Sequence, residues 1–374
     1  MIESFSRADK SLVGRWWWTV DRPLLICFIL LLILGILLSL AGSPSTAGRL
    51  HLDSFYFVKR HGLMTFPALA IIFLGSLASP RLLRYICWGV LGFSIVMLVL
   101  TPFMGMEIKG ARRWVNLGGF SLQATELVKP SFGVIAAWLF SQSKEYPLSG
   151  KLLALILYGV LMTLILLQPD FGMAFIISLT WFVQIFLGGL PLLWIIILSV
   201  LGVGGIGLAY LLLPHVTSRI DRFLNPAVGD QYQITQSLEA FKNGGILGQG
   251  PGEGVFKRYL PDAHADFIFP VAAEEFGFFF CVFVISIYAF IFVRGFMLIR
   301  LEKNLFLVLS LGGLITQFTL QALVNISSAL KLIPTKGMTL PFLSYGGSSL
   351  LGTALTVAIV LSMTRKRIDD SRIY

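Results

Sequence analysis

Residues 263–292 read AHADFIFPVAAEEFGFFFCVFVISIYAFIF. One histidine and three carboxylates, His264, Asp266, Glu274 and Glu275, stand at the head of an apolar run long enough to cross a bilayer. A spanning helix needs about 20 mostly apolar residues, and an ionised acid at mid-bilayer costs about 2.5 to 3.5 kcal/mol on insertion scales. Acids in or beside such a helix therefore face a polar cavity where work is done, or are paired or protonated.

The rest of the chain has the same character. Of its 374 residues 56% are hydrophobic and only 13% charged, which excludes an ordinary soluble domain. Apolar runs broken by Gly, Pro and charge fall near 24–42, 63–79, 82–104, 126–142, 152–168, 171–188, 191–213, 267–292, 304–326 and 346–363. They predict an all-α polytopic membrane protein of about ten transmembrane helices, forming a single domain over 1–374. Residues 1–23 and 364–374 are its tails, and 214–266 form one long extracytoplasmic loop. The first run follows a basic start, as a signal peptide would, but its length and the many later spans predict an uncleaved helix. An even number of spans puts both termini on one side. Arg7, Lys10, Arg15 and Arg22 at one end, and Arg365, Lys366, Arg367 and Arg372 at the other, make that side cytoplasmic.

Loops on the two sides nevertheless carry nearly equal numbers of basic residues. An anionic ligand at the outer surface would explain the excess there; equally, the long loop can translocate whatever its charge. Within that loop Ile234, Leu238 and Phe241 recur at helical spacing, with Gln233, Gln236, Glu239 and Lys242 facing away and Asn243-Gly244 as a stop. This predicts a short amphipathic helix lying on the bilayer. The glycines at 244, 245, 248, 250, 252 and 254 lack the Lys-Ser/Thr of a nucleotide-binding loop and read as a flexible turn. Cys27, Cys87 and Cys281 lie in three different apolar runs and read as packing residues.

Asp266 sits just before the eighth run, where an Asp is either a helix N-cap or a functional acid at the water boundary. Lys109, Arg112 and Arg113 precede the fourth run, and Glu126 and Lys129 share one helical face within it, so they either pair with each other or line a cavity. Residues 333–349, IPTKGMTLPFLSYGGSS, and 168–172, QPDFG, cannot form regular helix. Irregular backbone at membrane depth is tolerated only where protein or a cavity satisfies it, so these breaks and the acidic helix start suggest one shared site.

Taken together, these stretches resemble the SEDS family of bacterial cell-wall polymerases over essentially the whole chain. The resemblance is carried by 109–129 (KGARRWVNLGGFSLQATELVK), 168–172 (QPDFG), 232–237 (YQITQS), 259–277 (YLPDAHADFIFPVAAEEFG) and 334–349 (PTKGMTLPFLSYGGSS). The form PTKGMTLP is similar to the division rather than the elongation members, and Gly250-Pro-Gly-Glu-Gly254 to those of alphaproteobacteria. Two departures stand out. Gln123-Ala124-Thr125-Glu126 replaces Gln-Pro-Ser-Glu, and His264-Ala265-Asp266 replaces His-Thr-Asp, removing a hydroxyl beside the acid. Arg258 also occupies a position where some members carry an acid.

The resemblance implies a peptidoglycan glycosyltransferase acting on lipid II at the outer face of the inner membrane, with inversion and with undecaprenyl pyrophosphate as leaving group. It implies Asp266 as general base, and Arg112, Arg113, Lys129 and Lys336 as cations for the diphosphate. Glu126, His264, Glu275 and Ser344, which stand in the matching motifs, are further candidates for substrate contact. A divalent cation, Mg or Mn, could assist the diphosphate, although no ligand cluster demands one. The implied partners are a class B penicillin-binding protein and other divisome proteins, with no nucleic acid. A lipid II flippase and a non-catalytic scaffold for the transpeptidase are the competing readings.

Overall fold

The computed structural model describes residues 11–366 apart from 109–110, 119, 143–148, 190, 213–215, 218–220, 222–231 and 335–336. A short helix α1 (Leu12–Thr19) leads into α2 (Arg22–Arg49), α3 (Tyr56–Leu77) and α4 (Pro80–Met104). Strands β1 (Met106–Ile108), β2 (Ala111–Leu117) and β3 (Phe120–Leu122) follow. Next come α5 (Ala124–Gln142), α6 (Ser149–Leu167), α7 (Phe171–Leu187) and α8 (Leu192–Leu212). After α9 (Tyr232–Gly244) and a 3-10 turn at Phe256–Arg258 come α10 (Ile268–Ile299), α11 (Leu305–Ala329) and α12 (Gly347–Met363). Six of these helices are long and apolar enough to cross a membrane. The ten helices other than α1 and α9 fall on the ten apolar runs read from the sequence.

Local chemistry sets the helix starts. Asp21, Ser79, Asp170 and Asn304 each turn a side-chain oxygen onto a free N–H of the first turn of α2, α4, α7 and α11. Several helices outrun the apolar segments: α3 begins at Tyr56 and carries Lys59 and Arg60, and α2 continues through Pro44 to Arg49. Hydropathy measures bilayer thickness, whereas a helix continues as long as its hydrogen bonds are met.

The bundle is organised around α11, which packs on α5, α7, α10 and α12. In its most apolar stretch 72% of residues are buried, against 28–56% in the other five long spans. Gln184 of α7 pins this centre: its amide donates to Gly133 O at 2.6 Å and Leu309 O at 3.2 Å, joining three helices where small residues let them approach. The first and last described segments meet, since Lys366 N donates to Thr19 O at 3.0 Å and Arg365 to Thr19 Oγ1 at 3.0 Å. Both therefore lie at one end of the bundle, as an even number of crossings requires.

Three features escaped the sequence reading. The strands pair antiparallel in the order β1-β2-β3, with Glu107 opposite Arg112 and Val115 opposite Leu122. A Gly118-Gly119 dipeptide between short alternating segments was the available hairpin signal. Helix α9 does not simply lie on a bilayer: Ile234, Ser237, Ala240 and Gly244 are buried, and the helix packs on α10. Phe241 reaches Phe269, 5.8 Å between ring centroids, and Ser237 donates to Ala329 O at the end of α11.

The third is the glycine loop, which is a docked element rather than a flexible turn. Helix α10 breaks at Gly277 (φ 80, ψ −175). The backbone groups freed there are met by the loop: Phe278 N donates to Gly245 O (3.0 Å), Gln249 N to Glu274 O (2.9 Å) and Gly250 N to Glu275 O (3.0 Å). A Cβ on Gly248 would stand 2.2 Å from Glu275 O, and Gly248 has φ +83. We therefore expect Gly248→Ala to cost about 2 kcal/mol or more of stability. Gly252→Ala, also at positive φ (+89) but facing open space, should cost only about 1 kcal/mol. Thermal unfolding of the two purified variants checks this, and equal melting would contradict the docked geometry.

Candidate functional site

Asp266 lies on the last turn before α10 and is half-buried. It is not the helix cap: the N-cap position is Phe267, which makes no side-chain cap bond. Its backbone is held instead. Asn325 of α11 donates from Nδ2 to Asp266 O at 2.9 Å and to Met338 O at 2.6 Å, tying the approach to α10 to the irregular segment before α12. Ser344 reinforces the tie by donating to Ala265 O at 2.7 Å while accepting from Leu340 N at 2.7 Å. Tyr345 N donates to His264 O at 3.0 Å. A Cβ on Gly337 would lie 2.9 Å from Asp266 Oδ2, so the carboxylate stands against bare backbone.

His264 is packed against the rings of Phe57 and Tyr345, 4.0 and 5.4 Å between centroids, with Nδ1 3.3 Å from Thr46 Oγ1. Burial pushes its pKa down to about 4, so the imidazole is neutral at physiological pH. The same turn is clamped to the end of α2 by Arg49, which donates to Leu260 O and Pro261 O.

A second polar group meets the first along α11. Glu126 and Lys129 form a buried ion pair at 2.6 Å, each side chain 3% exposed. Lys129 also donates to Gln321 Oε1 at 2.6 Å, and Gln321 Nε2 donates to Thr339 O at 3.0 Å. Thr339 Oγ1 is 2.5 Å from Ser349 Oγ. Gln321 and Asn325 thus stand four residues apart on one face of α11 and hold adjacent peptides, 338 and 339. The two helix breaks converge on the start of α5: Gln123 N donates to Ser348 Oγ at 3.0 Å and Gln123 Nε2 to Asp170 Oδ2 at 3.2 Å. Arg113 closes this side by donating to Gln168 O at 3.1 Å and to Pro169 O.

The structure sorts the candidates accordingly. Asp266, His264 and Ser344 come together, and Glu126 and Lys129 connect to them through Gln321 and Thr339. Ser344 is buried, with its hydroxyl bonded on both sides to backbone, so it positions the segment rather than facing a substrate. Arg113 is likewise a backbone clamp. Arg112 is exposed on β2, pairs with Glu107 at 3.5 Å and remains open to solvent. Glu275 is 1% exposed and ion-paired with Lys257 of the docked loop. Its neighbour Glu274 accepts from Val255 N (2.7 Å), Phe256 N (2.8 Å), Lys257 N (2.9 Å) and Asn243 Nδ2 (2.9 Å). That answers how two acids are tolerated there: each is fully partnered. Lys109 and Lys336 lie outside the described residues. The sequence reading missed Gln321 and Asn325, although Gln317, Gln321 and Asn325, amides at spacing four in an apolar span, were a visible signal.

Residues 21–368 match the cell cycle protein family of FtsW, RodA and SpoVE, and the chain belongs to that family. It is 40% identical over 366 residues to a probable peptidoglycan glycosyltransferase FtsW of Caulobacter vibrioides, covering 97% of this chain and 94% of that one. An Escherichia coli protein of the same description is 37% identical, covering 91% of this chain and 85% of that one. Among solved structures, a chain of a peptidoglycan synthase complex matches with TM-score 0.77 and 28% identity, over 94% of this chain and 99% of that one. The rod shape determining protein RodA of Thermus thermophilus matches with TM-score 0.70 and 29% identity, over 95% and 99%. The fold is therefore that of a multi-pass membrane protein of this family.

His264 generates a pH prediction. Its pKa falls from about 6.5 unfolded to about 4 folded, so the unfolded chain takes up this proton first as pH drops. Stability from His264 is fully present above about 6.5, is lost progressively towards pH 4, and levels off below it. In detergent, the melting temperature of His264→Phe should fall less steeply than wild type between pH 6.5 and 4.5. Parallel curves would contradict the buried neutral imidazole.

Proposed function

We propose that this member of the cell cycle protein family is a peptidoglycan glycosyltransferase that polymerises lipid II during septal wall synthesis, with Asp266 as its general base. The observation that carries the residue assignment is the fixed position of the acid: Asn325 and Ser344 hold the backbone of 265–266, and the bare backbone of Gly337 stands against Asp266 Oδ2. The names of the curated relatives support the activity, and the family description, cell cycle protein, supports the division role.

In the reaction an acceptor sugar hydroxyl attacks the anomeric carbon of the donor, and Asp266 takes the hydroxyl proton as the new C–O bond forms. The bond to the diphosphate breaks on the opposite face, its electron pair leaving with undecaprenyl pyrophosphate, so the anomeric configuration inverts. Charge gathers on the leaving diphosphate, and fixed cations stabilise it most in a water-poor site. Arg112, open to solvent on β2, and Lys336, one residue from Gly337 in sequence, are the groups we assign to that charge. Lys129 acts indirectly: held by Glu126, it fixes Gln321, which fixes Thr339. Among the described residues no three His, Cys, Asp or Glu side chains converge as a metal site. A Mg or Mn ion assisting the diphosphate would therefore draw most of its oxygen ligands from substrate and water.

The basic tails support an orientation with both termini in the cytoplasm and Asp266 at the periplasmic face of the inner membrane. The likeness to a chain of a peptidoglycan synthase complex supports a class B penicillin-binding protein as partner within the divisome.

The test is polymerisation of labelled lipid II by the purified chain with its cognate penicillin-binding protein, transpeptidation blocked, for wild type and Asp266→Asn. Loss of a general base should slow glycan synthesis by about 10²- to 10⁴-fold with folding and partner binding intact. Equal polymer from both would remove Asp266 from the mechanism. No polymer from an active-partner wild-type complex would favour a flippase or a scaffold.

A further inference from the structure

A cavity of about 330 Å³ opens at the other end of the bundle from Asp266. Helix α10 separates the two: Asp266 precedes its first residue, and the cavity begins at the turn that follows its last. The lining includes Arg81, Arg84, Trp138, Ser141, Lys303 and Asn304, contributed by α4, α5 and the start of α11. Three of these are cations, and no acid lines it among the described residues. Neighbouring Glu302 folds its carboxylate back onto the N–H groups of Lys303 and Asn304, at 2.9 and 2.8 Å.

Three further observations give the site its chemistry. Two long helices, α4 and α11, begin at the cavity, capped by Ser79 and Asn304, and bring the positive ends of their dipoles to it. The Arg84 guanidinium is stacked over the Trp138 ring at 5.0 Å, which orients it. The indole N–H of Trp138 is buried and has no acceptor among the described residues. A cavity holding two guanidinium groups, an ammonium and two helix starts fits a phosphate. Its flank points to a lipid: Leu82, Tyr85 and Ile86 on the outer face of α4 are 50, 64 and 41% exposed, and Trp88 pairs with Trp138 at 6.2 Å. An apolar wall bordered by Tyr and Trp belongs at a membrane interface.

We propose that this cavity binds the phosphodiester headgroup of an anionic glycerophospholipid, with Arg84 and Lys303 on the phosphate and the α4 face against its acyl chains. Basic pockets between membrane helices commonly hold such headgroups. The inference does not depend on the polymerase reading, because its readout is lipid retention.

The test uses the full chain in phosphatidylcholine nanodiscs doped with phosphatidylglycerol, with bound lipid counted by native mass spectrometry. Wild type should retain phosphatidylglycerol over phosphatidylcholine. At about fivefold per basic residue, the double variant Arg84→Gln/Lys303→Gln should weaken retention about 25-fold. Arg300→Gln, a charge change outside the cavity lining, should leave it unchanged. Equal retention by wild type and the double variant would overturn the proposal, as would equal loss with Arg300→Gln. Displacement by inorganic phosphate alone, or by undecaprenyl diphosphate at a lower mole fraction than phosphatidylglycerol, would overturn the assignment to a phospholipid.

Discussion

The structure depends on amide side chains satisfying backbone that cannot be helical. Within an apolar bundle every free N–H and C=O must find a partner, each unmet group costing several kcal/mol. Residues 337–346 have no helical ladder of their own, and α11 supplies part of one: Asn325 takes the 338 carbonyl and Gln321 the 339 carbonyl. Because Asn325 also takes the carbonyl of Asp266, the bond that makes the irregular segment affordable also fixes the proposed general base. Ser344, Tyr345 and Gly337 then complete a junction of two irregular segments that holds the half-buried Asp266.

The same solution recurs on the other side of α10. There the helix breaks at Gly277, and the glycine loop inserts so closely that backbone meets backbone. Glu274 sits at the focus, fully buried and accepting four hydrogen bonds, and Lys257 neutralises Glu275. Removing one partner from such a buried charged group typically costs about 3 to 5 kcal/mol. These acids therefore fasten the loop to the helix that carries Asp266 at its head.

Much of this was legible in the sequence. The ten apolar runs each fall on a helix because burial in a bilayer imposes a length and a composition that few other constraints mimic. The two helix breaks were readable from proline and glycine, and the Glu126–Lys129 pair from its spacing. The functions of Glu274 and Glu275 were not readable: an acid's partner comes from a loop about 18 residues earlier, here Val255 to Lys257, and sequence distance carries no geometry. The choice between helix cap and functional acid at Asp266 stayed open for the same reason, since only the fold shows its helix starting two residues later. Gln321 and Asn325 were overlooked because amides in an apolar span attract less notice than charges. The sheet was hidden by its length, with two of its strands only three residues long.

The central claim is that α11 and the Gly337 backbone act together to place the Asp266 carboxylate. A double-mutant cycle in lipid II polymerisation tests it most directly, using Asn325→Ala, Gly337→Ala and both together, with folding monitored in parallel. Either change alone should lower kcat with KM little altered. Since both disturb the same placement, the double variant should be no slower than the slower single by more than about twofold, a clear departure from additivity. Additive losses would mean that the two residues act independently and that the clamp does not position the base.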